Sequence, residues 1–210
     1  MRAAWPLVLL LLLGACAEAR RPAVPEPPAE LSAGRVVAPL GAILDLAIAD
    51  ATAPEAARND RPVQAAIAAA RLEWLSGQTR PGYRLGNLPA THRFTLQRAV
   101  EESRAALAIS PDATPEQVVQ GLLLASRALE SGDAEAVRRA MASPVFLPAR
   151  PDALARLRQP GPRPGAALAL PPLREELDRN QIFSGRGLSG PLGGEPVGVM
   201  NWMGLTGPAR

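Results

Sequence analysis

Residues 114–133, TPEQVVQGLLLASRALESGD, decide the fold. Thr114 followed three positions later by Gln117 is a capping box, and Pro115 sits at the first helical position, where its missing N–H has no intrahelical partner to lose. Val118, Leu122, Ala125 and Leu129 then recur on one face at the 3.6 period, and Ser131-Gly132 stops the run. Asp133 is placed to cap a shorter helix through Met141, which Pro144 ends. A helix with one apolar stripe is marginal by itself and needs a partner surface.

Those surfaces lie upstream. Val37, Leu40, Leu44 and Ile48 share one helical face; Val63, Ile67, Ala70 and Trp74 share a second; Leu96, Val100 and Leu107, flanked by Ala99 and Ala106, form a third. No useful length alternates with a period of two, so strands are not expected. The pattern predicts an all-α fold: a small four- to five-helix bundle over residues 33–147, with alanine-rich faces allowing close approach. Charges at partner spacing, such as Arg98 with Glu102 and Glu135 with Arg139, read as solvated surface. The turn Leu129-Glu130-Ser131-Gly132-Asp133 between two helices resembles that of a tetratricopeptide repeat. However, Gly121 and Ala128 stand where that repeat has bulky aromatics, and no second copy follows at its period of about 34 residues.

The flanks differ in composition. Residues 16–32 carry Pro22, Pro25, Pro27 and Pro28 without apolar periodicity and read as an extended tether, about 3.1 Å per residue. Residues 148–210 read as a basic, Pro/Gly-rich segment, disordered or loosely docked. Prolines from Pro148 to Pro172 leave room for short helical turns near 152–158 and 173–180, and Trp202 is the leading apolar docking residue beyond them.

All 23 basic residues of the 210 are arginine, beside one His, one Cys and one Tyr. So thin a set excludes zinc clusters, disulfide frameworks and Cys/His nucleophile pairs within one chain. The pI near 10.3 reflects the lack of groups titrating between carboxylates and guanidinium, because the net charge is only +3. No concentrated basic stripe with interleaved aromatics is present, so no nucleic-acid partner is expected. From residue 149 onward there are 8 arginines against 5 acids, and Arg150, Arg156, Arg158 and Arg163 are candidates for contact with an anionic surface or envelope polymer, or a solubilising linker.

At the N-terminus, Arg2 precedes an apolar run over 5–13, too short to span a bilayer core of about 30 Å. The run ends in Leu13-Gly14-Ala15-Cys16, with the chain's sole cysteine last. This resembles the lipobox of bacterial lipoproteins. The resemblance implies that 1–15 is a signal peptide and that Cys16 is lipidated, giving a membrane anchor without a span. Ala17, rather than Asp, after the cysteine implies the periplasmic face of the outer membrane.

Chemistry is sparse. No catalytic residue, metal ligand or cofactor motif is assigned. Glu73, Trp74 and Tyr83, with His92 nearby in sequence, could line a groove for a glycan or peptidoglycan-like polymer, as a binding module or hydrolase. The competing reading puts Trp74 in the core by its register, Glu73 in water and His92 at a helix start. The expected function is a lipid-anchored, non-enzymatic structural or interaction component of the cell envelope, with an envelope protein or anionic polymer as partner.

Overall fold

The computed structural model describes residues 26–36, 38–147 and 153–183. The fold is all-α, with eight helices among the described residues: α1 (Pro39–Thr52), α2 (Glu55–Arg58), α3 (Pro62–Gly77), α4 (Ala90–Leu107), α5 (Pro115–Ser131), α6 (Ala134–Met141), α7 (Ala153–Arg158) and α8 (Pro164–Phe183). Local chemistry sets several boundaries. The capping box of α5 is formed in both directions: the Thr114 hydroxyl accepts from Gln117 N–H at 3.3 Å, and Thr114 N–H donates to the Gln117 side chain at 2.8 Å. Gly132 closes α5 in the left-handed conformation at φ 68°, and Asp133 caps α6 by accepting from Glu135 and Ala136 N–H.

Helix α3 is the hub, packed by α1, α4, α5 and α7. Its residues from Ala68 to Leu75 are all buried, so a stripe inferred from Val63, Ile67, Ala70 and Trp74 understates a helix covered on most sides. Val63 and Ile67 are only half-buried, while small Ala65, Ala66 and Ala69 take the closest positions. Helix α5 lies along α3 and buries Val118, Leu122 and Ala125, as its periodicity requires, together with Val119 and Leu123. On α4 the buried residues are Leu96, Ala99, Val100, Ser103 and Leu107. In α1 the core face is Ile43, Leu44, Ala47 and Ala51, with Leu40 and Ile48 at its margin; Val37 lies outside the described residues. A single antiparallel bridge, Ile109 to Phe146, ties the α4–α5 turn to the chain leaving α6.

Both flank expectations are corrected where the flanks meet the core. Residues 16–25 of the expected tether lie outside the described residues, but in 26–32 Leu31 is fully buried, its carbonyl accepts from Arg71 Nε at 2.8 Å, and Glu30 is ion-paired with Arg127 of α5. The bundle was expected to end at 147, yet Leu157, Ala166, Ala169, Leu170 and Leu173 are core residues, and α8 packs on both α1 and α4. The short helix expected near 152–158 is α7, whereas the short turn expected near 173–180 is part of α8, one 20-residue helix that runs through Pro171 and Pro172. Proline removes a hydrogen bond to the carbonyl four residues earlier. The freed carbonyls belong to Ala167 and Leu168, on the half-buried to exposed side with the prolines themselves, where water reaches them. Glu102 accepts from Gly165 N–H at 3.0 Å at the start of α8, and Arg174 pairs with Asp45 of α1 at 2.8 Å.

Gly121 lets α5 approach Val145. A Cβ at this position would lie 3.0–3.2 Å from all three carbons of the Val145 side chain. Gly121→Ala gains up to about 1 kcal/mol of helix propensity. Crowding against a stiff β-branched residue costs about 1–3 kcal/mol. The variant is expected to be less stable than the parent by about 1 kcal/mol in urea unfolding; equal or greater stability would show that the segment carrying Val145 yields freely.

Candidate functional site

Glu73 is the most consequential polar residue of the core. It is 1% exposed, and the expectation that it faces water is corrected: it lies on the side of α3 that α4 covers. Its carboxylate accepts two hydrogen bonds from Arg104 of α4, Nε at 2.6 Å and a terminal nitrogen at 2.8 Å. The remaining terminal nitrogen of Arg104 donates to the carbonyls of Pro111 at 3.1 Å and Ala113 at 2.9 Å. Burial pushes the Glu73 carboxyl above the usual carboxylate range, the Arg104 hydrogen bonds pull it back, and the same carboxylate raises the Arg104 guanidinium. This pair locks α3, α4 and the 110–113 turn together, and every nitrogen of the Arg104 guanidinium is occupied.

The residues proposed around Glu73 do not converge on it. Trp74 is 6% exposed, in the core as its register requires; one edge meets a cavity of about 120 Å³ shared with Gln78, Glu116 and Val119. That is space for a few waters at about 30 Å³ each, not a polymer groove. Tyr83 is half-buried in the loop after α3, its ring 5.8 Å from the Arg80 guanidinium, which in turn pairs with Glu116 at 2.8 Å. The Arg80 hydrogen bond holds the Glu116 carboxyl below its usual range. His92 sits in the first turn of α4, as expected, but Arg104 is twelve residues further along the same helix, about 18 Å at 1.5 Å per residue. The buried carboxylate and the only histidine therefore stand at opposite ends of α4.

The arginines of the basic segment also part company. Arg156 donates to the Ala106 carbonyl at 2.9 Å and so caps the C-terminus of α4. Arg158 is exposed, whereas Arg163 is 8% exposed and turned inward, which corrects its assignment to a basic outer surface. Arg150, Cys16 and Trp202 lie outside the described residues.

Wider open hollows also lie among the described residues of the bundle. One, of about 590 Å³, has an apolar floor of Val100, Ile109 and Leu147 with Gln97, Glu101 and Arg104 beside it. The other, of about 440 Å³, runs between α5 and α6 past Leu124, Ala128 and Ala140, with Arg127 and Arg139 at its edge. Leu124 is 55% exposed there. Among the described residues, no group of three or more His, Cys, Asp or Glu could hold a metal ion, and no helix is long and apolar enough to cross a membrane. The arrangement defines an all-α bundle with apolar surface grooves and an internally neutralised carboxylate. No protein family, curated protein or solved structure matches the chain.

Sequence reasoning missed the Glu73–Arg104 pair and the inward course of Arg163. No local signal links positions 31 residues apart. For α8 a signal existed: Ala166, Ala169, Leu170, Leu173 and Leu177 follow helical spacing across the two prolines.

Proposed function

We propose that the protein is a lipid-anchored, non-enzymatic interaction component of a bacterial cell envelope, held at the periplasmic face of the outer membrane through Cys16. The observation that carries this reading is the sole cysteine at the end of Leu13-Gly14-Ala15-Cys16, directly after an apolar run of signal-peptide length. Acyl chains contribute about 0.8 kcal/mol per buried methylene, so an anchor of two or three chains is effectively permanent. The grooves beside α4 and between α5 and α6 support the interaction role, because they offer apolar floors with polar rims to an envelope partner. The hydrolase alternative, built on the Glu73, Trp74, Tyr83 and His92 region, has less support, since Glu73 is bound to Arg104 and lies about a helix length from His92.

Cys16→Ser tests the anchor. The parent protein, expressed in a bacterial host fed labelled palmitate, is expected to carry the label and to partition into the detergent phase. The variant is expected to lose the label and accumulate as unprocessed precursor. Label retained in Cys16→Ser, or cleavage after Ala15 without lipid, would overturn the reading.

A further inference from the structure

We propose that the hollow between the α2–α3 turn and the α7–α8 turn is a binding site for a small phosphate-bearing anion, held by Arg58, Arg61 and Arg163. The hollow measures about 200 Å³, and those three arginines line it together with Asp50, Gln64 and Pro160. It is smaller than the 300–1,000 Å³ typical of pockets for drug-sized ligands, which suits a single phosphate with a short substituent.

The charges in this hollow are not balanced from within. The other deeply placed arginines each have a carboxylate: Arg71 pairs with Asp50 at 2.6 Å, and Arg104 with Glu73 at 2.6 Å. Arg163 is as buried as Arg71 but forms no ion pair among the described residues; its side chain makes one long hydrogen bond, 3.4 Å, to the Ala65 carbonyl. Burial holds its guanidinium below the ordinary arginine range; the Asp50 carboxylate opposes that effect, Arg58 adds to it and Glu102 opposes it. Arg58 Nε is shut off from solvent without a hydrogen-bond partner. Asp50 is the one carboxylate in the lining, and its Oδ2 is already held by Arg71. A buried guanidinium with free donors is costly unless an anion completes it.

The excess of positive charge favours phosphate over a carboxylate. Arg58 and Arg61 come from the α2–α3 turn and Arg163 from the residue before α8, so two chain segments bring arginines to the hollow. A phosphate dianion brings twice the charge of a carboxylate and more acceptor oxygens, so it answers several arginine donors more fully. Gln64 and Ala65, in the first turn of the 16-residue α3, line the same space, so the positive end of that helix adds to the field. The frame is also fixed in advance: Asp60 N–H donates to the Arg158 carbonyl at 2.8 Å, joining the two turns, and Asp60 holds a left-handed φ of 56° to do so.

The test uses the full chain purified in detergent, with thermal unfolding followed by helical circular dichroism at constant ionic strength. Chloride is replaced stepwise by inorganic phosphate, glycerol 3-phosphate, glycerophosphoglycerol or acetate. The expected result is a saturable rise in melting temperature with inorganic phosphate, and acetate acting at least about tenfold more weakly. Arg58→Gln, at a half-exposed position, is expected to keep the fold and weaken phosphate about tenfold to a hundredfold. Arg163→Met is expected to melt no lower than the parent without phosphate, since it removes a buried unpaired charge, and to lose the phosphate response. Preference for glycerol 3-phosphate assigns the site to free phosphomonoesters, and preference for glycerophosphoglycerol to a phospholipid headgroup; both support the proposal. No saturable phosphate response, equal response to acetate, or a response undiminished in both variants would overturn it. The lipid anchor plays no part in this readout, so failure here leaves the reading of Cys16 intact, and the reverse holds.

Discussion

Glu73→Ala is expected to lower the stability of the bundle by about 3–5 kcal/mol, because it leaves the Arg104 guanidinium facing a core from which its counter-charge has gone. The Glu73 side chain is 2% and that of Arg104 12% exposed, so bulk water reaches the Arg104 edge at the open hollow but not the buried place of the lost carboxylate. A typical domain has only about 5–15 kcal/mol in total, which makes this a large fraction. Arg104→Ala is expected to cost at least as much, since it strands the Glu73 carboxylate and also releases the carbonyls of Pro111 and Ala113. The decisive measurement is a double-mutant cycle in urea with Glu73→Leu and Arg104→Met. If the two charges act through each other, the double variant recovers much of the loss, as buried ion pairs replaced by apolar groups commonly do. A double variant as unstable as the sum of the singles would mean that each residue holds the fold through other contacts.

Ending the chain after Leu147 is expected to abolish cooperative folding. The cut removes α7 and α8, and with them Leu157, Leu170 and Leu173, each at most 1% exposed, together with buried Ala153, Ala166 and Ala169. Truncating one buried leucine to alanine costs about 2–5 kcal/mol, so losing three exceeds the reserve of an ordinary domain. The faces of α1 and α4 that α8 covers would then be open to water. A point substitution separates this effect from gross disruption: Leu173→Ala in the full chain is expected to fold and to lose about 2–5 kcal/mol in urea unfolding. A chain ending at Leu147 that retains a cooperative helical melt would show that α8 is an accessory rather than a wall of the core.

Much of the fold was legible from short-range chemistry. The bounds of α5 and the start of α6 depend on contacts two or three residues apart, Thr114 with Gln117 and Asp133 with Glu135 and Ala136, and such contacts are written directly in the sequence. The core position of Trp74 followed from helical register alone. Register also placed Leu96 and Val100 on the buried face of α4, and Val118 and Leu122 on that of α5. The candidate site was legible only in part, since Glu73 was visible as a carboxylate beside a tryptophan while its partner was not.

What the sequence by itself determined is an all-α chain with its strongest helix at α5, and a single cysteine set in a lipobox-like context. The tertiary structure decided the rest. Local propensity argues against a helix through Pro171-Pro172, yet burial of Ala166, Ala169, Leu170 and Leu173 against α1 and α4 outweighs two lost backbone bonds on the wetter side. Leu31 looked like the end of a proline-rich tether until Arg71, 40 residues away, took its carbonyl. Arg163 looked like one basic residue among several until the start of α8 turned it toward Arg58 and Arg61. In each case the deciding contact joins residues far apart in the chain, and its energy exists only once the helices that carry them have packed.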